Sequence, residues 1–378
     1  MLCPSLCTGN IVRLVVLFFL FPAFAIGRAK LVRIIDLQPE LCDLALQQKN
    51  NDPAAFVDFL SDDELIVSTV CNVGEIKLSS HDDPEMRSPN HLKAVTISIP
   101  GGEIRRRFEW PIQDRNTLLR VTHAGELLLV RDHLVELLNL EGRKIQSFKI
   151  PRVAPEERIF VGLSPALDIM VVTQSSTAKN GTAVNGVAVM DSHTFEILDL
   201  WHDDGESWNI AANRERAFRT GNRGTAVQMR SLAKNETPGS QWKTIWSTSD
   251  VKIPRPIFLN NASFAIPVPG GTSIFSSEGQ VTHTIECRFG ASLLRAARSG
   301  NVLASTCATQ PYPEVVLGQE RTFATQVVRF NGNNPTLTNG PRVTTGWDLD
   351  QDLAVSPSTK RIAIVDQLKL LIFDLSDD

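Results

Sequence analysis

The stretch VDFLSDDELIVST, residues 57–69, sets two short apolar runs on either side of a polar turn. A run of four to eight apolar and β-branched residues bounded by turn formers reads as a strand, so the stretch reads as a hairpin. The same pattern returns six times: LRVTHAGELLLVR (119–131), VGLSPALDIMVVT (161–173), IAANRERAFRT (210–220), IFLNNASFAIPV (257–268), LRAARSGNVLAST (294–306) and LAVSPSTKRIAIVD (353–366). The second strands begin at Leu65, Leu127, Ile169, Ala217, Phe264, Val302 and Ile362, with separations of 62, 42, 48, 47, 38 and 60 residues. Such a period suits one four-stranded propeller blade.

Most copies are followed by a second hairpin that completes a blade. AVTISIPGGEIRRRFEW (94–110) turns at Gly101-Gly102, HLVELLNLEGRKIQSFKI (133–150) at Glu141-Gly142, and TSIFSSEGQVTHTIEC (272–287) at Glu278-Gly279. Glycine there supplies the positive φ that tight hairpins require. VAVMDSHTFEIL (187–198) turns at Asp191, and TAVQMRSL with WKTIWST serve the fourth copy. In the sixth, TQVVRF (325–330) reads as a third strand, whereas NNPTLTNGPRVTTG (333–346) makes a poor fourth.

The two ends of the chain complete each other. After the seventh hairpin comes one more strand, KLLIFDL (369–375), which leaves that blade one strand short. The strand KLVRIIDL (30–37) has no blade of its own. Placed at the vacant outer position it closes the ring with backbone hydrogen bonds, which leaves few bare sheet edges. The predicted fold is therefore all-β: a seven-bladed β-propeller of four-stranded blades, closed by an N-terminal strand that completes the last blade.

The hairpin pattern, the Val-x-Val-x-Asp-x-x-Thr turn at 187–194 and the strand-swapped closure resemble the seven-bladed propellers of the WD-repeat and YVTN class. That group includes quinoprotein dehydrogenase-like propellers and many uncharacterised exported bacterial proteins. The resemblance spans nearly the whole chain beyond the N-terminal leader.

That leader carries Arg13, the apolar run LVVLFFLFPAFA (14–25) and small residues at positions suited to cleavage. These are the parts of a secretory signal peptide, assigned to residues 1–25 with cleavage possible as late as Ala29. The apolar run is short for a membrane span and Pro22 interrupts it. Cys3 and Cys7 precede the run, which argues against a lipid-modified cysteine at the new N-terminus. Residues 30–378 are then a single propeller domain with no transmembrane span, exported to the periplasm or the extracellular space.

An oxidising compartment gives meaning to Cys42, Cys71, Cys287 and Cys307. Four cysteines permit three pairings. Cys287 ends an outer strand and Cys307 lies late in the next second strand; Cys42 and Cys71 stand in the corresponding places across the ring closure. The ends of second and outer strands emerge on one face, so the repeat favours Cys42 with Cys71 and Cys287 with Cys307. Four buried free thiols are the alternative. Aligning Ser68-Thr69 with Ser305-Thr306 sets Cys307 opposite Val70 rather than Cys71, a one-residue slip that a local bulge would absorb.

Other chemistry is thinly represented. The 42% hydrophobic and 21% charged content is that of a soluble globular protein, and a formal net charge of −4 gives no electrostatic reason to expect nucleic acid. The segments HDDPE (from His81) and HDDGE (from His202) lack calcium-loop spacing, and the remaining histidines form no zinc-ligand pattern. No nucleophile elbow, Walker loop or dinucleotide fingerprint is present. Arg105 and Arg107 are expected on one solvated strand face with Arg106 on the other. Trp201, Trp208, Trp242 and Trp246 are expected in blade interfaces. Asn180, Asn235 and Asn261 begin N-glycosylation sequons, which matter only in a host that performs the modification.

No catalytic residue, metal or cofactor is predicted. The expected role is non-catalytic binding of a protein, peptide or glycan partner through loops on one face. A propeller enzyme with a central-channel site, quinoprotein-like dehydrogenase or metal-assisted hydrolase, is the second reading, and a structural module of a cell-envelope assembly the third.

Overall fold

The computed structural model describes residues 29–42, 55–72, 90–112, 117–131, 133–150, 158–164, 166–177, 183–203, 210–221, 225–232, 242–247, 257–258, 263–268, 270–287, 291–298, 302–308, 321–331, 334–345, 351–366 and 369–375. They form seven four-stranded antiparallel sheets arranged as the blades of a ring. Blade 1 holds β2 (Phe56–Ser61), β3 (Glu64–Asn72), β4 (Asn90–Ser98) and β5 (Ile104–Ile112). Blade 2 holds β6 (Leu118–Val121), β7 (Leu127–Arg131), β8 (Leu134–Leu138) and β9 (Lys144–Lys149). Blade 3 holds β10 (Arg158–Leu163), β11 (Ile169–Thr177), β12 (Ala183–Asp191) and β13 (Ile197–Asp203). Blade 4 holds β14 (Ile210–Ala212), β15 (Arg216–Gly221), β16 (Ala226–Ser231) and β17 (Lys243–Ser247). Blade 5 holds β18 (Ile257–Phe258), β19 (Phe264–Val268), β20 (Gly271–Phe275) and β21 (Val281–Glu286). Blade 6 holds β22 (Ala291–Ala296), β23 (Val302–Ala308), β24 (Arg321–Asn331) and β25 (Asn334–Thr345). Blade 7 combines β26 (Gln351–Val355), β27 (Arg361–Asp366) and β28 (Lys369–Asp374) with β1 (Lys30–Asp36) from the other end of the chain.

The closing strand sits where the count of strands requires it. β1 pairs antiparallel with β28, from Lys30 opposite Asp374 to Asp36 opposite Lys369, with a bulge between Leu31 and Arg33. Its own side chains are mostly exposed, Leu31 at 45% and Ile34 at 57%, so backbone pairing holds it rather than burial. Leu37 and Leu41, which follow it, are buried in the layer between blades 7 and 1.

One expectation is corrected. Residues 333–346 make a poor strand by pattern, yet β25 pairs with β24 from Asn334 opposite Asn331 to Thr345 opposite Arg321. Pro335, Asn339, Gly340 and Pro341 weaken its propensity, and a register shift between Ala324 and Gln326 accommodates the irregularity. An outermost strand pairs along one edge only, so a proline costs it no ladder bond on the free side.

The core is a set of layers, one at each blade boundary. Val57, Val67 and Val95 of blade 1 meet Ala363, Val365 and Ile372 of blade 7, for example, and the stacked rings of Phe264 and Phe275 pack on Phe218 of blade 4. Second strands are covered on both faces, as Leu127, Leu128 and Leu129 show with no exposure. That is why they read as unbroken apolar runs rather than as alternating ones. Gly142 and Gly279 adopt positive φ in the turns between third and outer strands, as expected. In the 187–194 turn Asp191 Oδ1 instead accepts the N–H groups of His193 (3.0 Å) and Thr194 (2.9 Å), and Phe195 takes the positive φ.

Candidate functional site

Around the ring axis, the innermost strands of neighbouring blades touch, and four of them contribute charges to one cluster. Asp352 of β26 is its hub, with a side chain only 3% exposed. Its Oδ1 accepts from Arg295 Nε (3.1 Å) and Nη2 (2.6 Å) of β22, and its Oδ2 from Arg120 Nη1 (3.3 Å) of β6. The same Oδ2 caps the backbone N–H of Val57 at 3.1 Å. Asp58 of β2 repeats the device one blade on: Oδ2 faces the N–H of Val121 at 3.4 Å and Arg120 Nη1 at 3.5 Å. An inner strand has ladder partners on one side only, so its axis-facing N–H groups need such acceptors. The Phe56 ring lies 4.7 Å from the Arg120 guanidinium carbon, and Arg298, in the turn after β22, donates from Nη2 to the carbonyl of Phe59.

Burial and partners set the charge states. Burial pushes the Asp352 carboxyl up, but Arg295, Arg120 and the Val57 N–H outweigh it and hold the group below the usual carboxylate range. Burial also raises Asp58, and there it prevails: Arg120 opposes it, while Asp352 adds a like charge. Arg120 is disfavoured by burial, yet Asp58 and Asp352 keep it firmly cationic. Arg298 is lowered by burial, which Asp58 only partly offsets. The cluster thus joins blades 6, 7, 1 and 2 by charge-assisted bonds, and its most buried carboxylate has both oxygens committed.

Two faces follow from the strand order. On the turn face, where first strands run into second strands, ion pairs and hydrogen bonds bolt blade to blade. Glu126 meets His193 Nδ1 at 2.8 Å, Arg214 reaches Asp191 (2.6 Å) and Asp168 (3.1 Å), and Arg216 donates to the Ser277 carbonyl (3.3 Å). Arg329 donates to the carbonyls of Thr359 (3.0 Å) and Leu375 (2.8 Å), and Arg361 to that of Asp62 (2.8 Å). At the opposite, loop face β1 ends at Asp36 and β2 begins at Phe56, β3 ends at Asn72 and β4 begins at Asn90, and β23 ends at Ala308 and β24 begins at Arg321.

The four cysteines gather on the loop face. The structure joins Cys42 to Cys71, with Cα atoms 5.8 Å apart, and Cys287 to Cys307 at 5.2 Å. One link spans blades 7 and 1, the other blades 5 and 6. The slip between the two second strands meets a register shift between Ala291 and Leu293, opposite Cys307 and Thr306. With sequence separations of 29 and 20, each crosslink is expected to contribute about 3 kcal/mol by restricting the unfolded chain. Paired Cys→Ser variants are expected to lose that amount in non-reducing urea unfolding. Free thiols, or Cys71 joined to Cys307, in non-reducing peptide maps would overturn the pairing.

Other residues singled out by pattern take structural places. Arg106 is half-buried and pairs with Glu64 at 2.8 Å, whereas Arg107 is exposed beside Glu40 at 2.7 Å. Trp201 packs edge-on against Trp242 between blades 3 and 4, with Arg230 over Trp201 and Arg219 over Trp242, both at 4.4 Å. Trp246 meets Phe275 of blade 5. The leader, His81 to Glu85, Trp208 and the asparagines of the three sequons lie outside the described residues. His202 is exposed at the end of β13. Among the described residues no set of three metal-ligating side chains converges, and no helix is long and apolar enough to cross a membrane.

Asp58, Arg120, Arg295 and Asp352 carry no motif, and pattern reading passed them over. Their signal was a charge inside the first strand of four hairpins adjacent in the ring, VDFL, LRVT, LRAA and QDLAV, where apolar residues are the norm.

No family model and no curated protein matches the chain. Among solved structures it is similar to the Pan2 WD40 domain of Neurospora crassa, at 11% identity and a TM-score of 0.53 over 93% of this chain and 96% of that one. It is similar to Raptor of Chaetomium thermophilum at 9% identity and a TM-score of 0.59, over 93% of this chain and 29% of Raptor, so it spans under a third of that protein. A chain of the mitotic checkpoint complex matches at 12% identity and a TM-score of 0.52, over 91% of this chain and 94% of that one. Identities this low carry architecture alone, and the architecture is that of a seven-bladed WD40-like β-propeller.

Proposed function

We propose that the protein is an exported, non-catalytic propeller that binds a protein, peptide or glycan partner through its loop face. The observation that carries this reading is the asymmetry of the two faces. The described turns of the turn face are bolted blade to blade, while the strand ends joined by the three longest connecting stretches, 37–55, 73–89 and 309–320, lie opposite; the stretch 232–242, between β16 and β17, is the longest that joins strand ends on the turn face. Rigid scaffolds present variable loops for recognition, and propellers of the WD40 kind serve widely as such scaffolds. The ion-pair cluster at the axis supports the same conclusion, because its most buried carboxylate, Asp352, is committed to Arg120, Arg295 and the Val57 N–H. Export is supported by the signal-like leader and by cysteine pairs suited to an oxidising compartment.

One observation favours an enzyme. Asp58 and Asp352 share Arg120 while their environments push their acidities in opposite directions, as in acid-base pairs. Asp352, however, is 3% exposed with both oxygens committed, which leaves it no substrate to reach. Native mass spectrometry and metal analysis of protein purified from its exporting host separate the readings. A copurifying partner whose cross-links map to 73–89 or 309–320 is the expected result. A stoichiometric metal or quinone would sink the non-catalytic reading, and cross-links confined to the turn face would sink the choice of face.

A further inference from the structure

The axial cluster does not balance. Among the described residues, Arg120, Arg295 and Arg298 bring three positive charges, and Asp58 and Asp352 bring two negative ones. Arg120 and Arg295 are the two guanidiniums bonded to Asp352, and Arg120 also meets Asp58. Arg298 is the remainder. It is partly buried, its one hydrogen bond goes to the neutral carbonyl of Phe59, and among the described residues no carboxylate lies within ion-pair distance of it. A guanidinium withdrawn from water with no carboxylate in contact, its burial only partly offset by Asp58, is unfavourable, so such a group marks a place where an anion is stabilised.

The surroundings suit a small ligand. Arg298 stands in the turn after β22, on the turn face, and Arg295 lies three residues before it near the end of that strand. Arg298 is bonded to the carbonyl of Phe59, and Arg295 to Asp352, which holds the N–H of Val57, so both guanidiniums are anchored against the same short stretch of β2. Arg295 uses Nε and Nη2 on a single oxygen of Asp352, leaves Nη1 without a partner among the described residues, and keeps 36% of its side chain exposed. An arginine edge with free N–H groups, next to a second arginine with no carboxylate in contact, matches the geometry of an oxyanion. Asp58 faces the same point, but Arg120 offsets its charge, so one positive charge is left over.

We propose that the turn-face end of the ring axis is an oxyanion site, in which a carboxylate or a monoanionic phosphate sits against Arg298 and the free edge of Arg295. The site is distinct from the loop face and requires no macromolecular partner. One oxyanion of single charge neutralises the cluster. It also supplies acceptors for the N–H groups of Arg298 that the Phe59 carbonyl leaves unused.

The test is calorimetric titration of the full-length protein with sodium acetate and, separately, with inorganic phosphate, at constant ionic strength set by chloride. Saturable binding of about one equivalent is expected, weakened about tenfold or more in Arg298→Gln, since a hydrogen bond to a charged group is lost. Binding of acetate alone assigns a carboxylate, and binding of phosphate alone assigns a phosphate. Binding of both assigns any oxyanion of that size. Should Arg298→Gln fail to fold, as judged by circular dichroism, Arg298→Lys carries the test: it keeps the charge but loses the fork, and a several-fold weakening is expected. Absence of saturable binding to the folded wild-type protein, or unchanged affinity in a folded variant, would overturn the proposal.

Discussion

A chain shortened to begin at Leu37 will fail to form a cooperative fold. Deleting β1 removes its antiparallel pairing with β28, so the outer edge of Lys369–Asp374 becomes a bare row of N–H and C=O groups. The loss is not confined to one strand. β1 leads into Leu37 and Leu41, which are buried at the boundary of blades 7 and 1, and into Cys42, which is joined to Cys71 of blade 1. Without β1 this segment is tethered only at its far end, and the layer holding Val57, Val67, Val365 and Ile372 is no longer clamped from outside. Calorimetry should show the main unfolding transition lost or broadened, and size-exclusion chromatography should show aggregates formed through the bare edge. A synthetic peptide covering residues 29–42, added in trans, should restore part of the transition. A shortened chain that kept the wild-type midpoint would show that blade 7 closes the ring without its fourth strand.

Asp352→Ala should be the most damaging single substitution at the axis, with a loss of about 3–5 kcal/mol. The change strips a buried carboxylate from two guanidiniums and from the Val57 N–H, and four N–H donors lose an acceptor at once. Asp352→Asn, which keeps the volume and one acceptor, should lose less. The pH dependence gives the sign. Asp352 has a folded-state pKa below its unfolded value, so its contribution is fully present above the ordinary aspartate range and disappears as pH falls through the folded value. Urea unfolding between pH 7 and pH 3 should therefore show a wild-type loss of stability that is smaller in Asp352→Asn. Asp58 has the opposite sign: its folded value is raised, so ionising it weakens the fold and protonation relieves the penalty. Asp58→Asn should accordingly cost far less at neutral pH than Asp352→Asn. Equal losses in the two variants would contradict the roles assigned to them.

The ring was legible because each blade repeats the same local physics. Apolar runs such as LLLV and IMVV are long enough for a strand and too short for a helix, and the turns between them carry glycine or aspartate where the backbone needs help. Strand counting then dictated the closure, since KLLIFDL and KLVRIIDL each lacked what the other offered. β25 was illegible for the converse reason: Pro335, Gly340 and Pro341 suppress its local signal, and β24 supplies the pairing that forms it.

The axial site shows the same division more sharply. Asp58, Arg120, Arg295 and Asp352 stand far apart in the chain, in strands that individually look apolar, and none belongs to a spaced motif. The sequence by itself determined the blade repeat, the strand shared by both ends and the cysteine positions, because periodicity, turn chemistry and strand count are local properties summed along a chain. Only the tertiary structure decided which charges meet at the axis and which side chains bolt one blade to the next. Those outcomes depend on curvature that brings blade 6 around to blade 2, and no stretch of sequence encodes that distance.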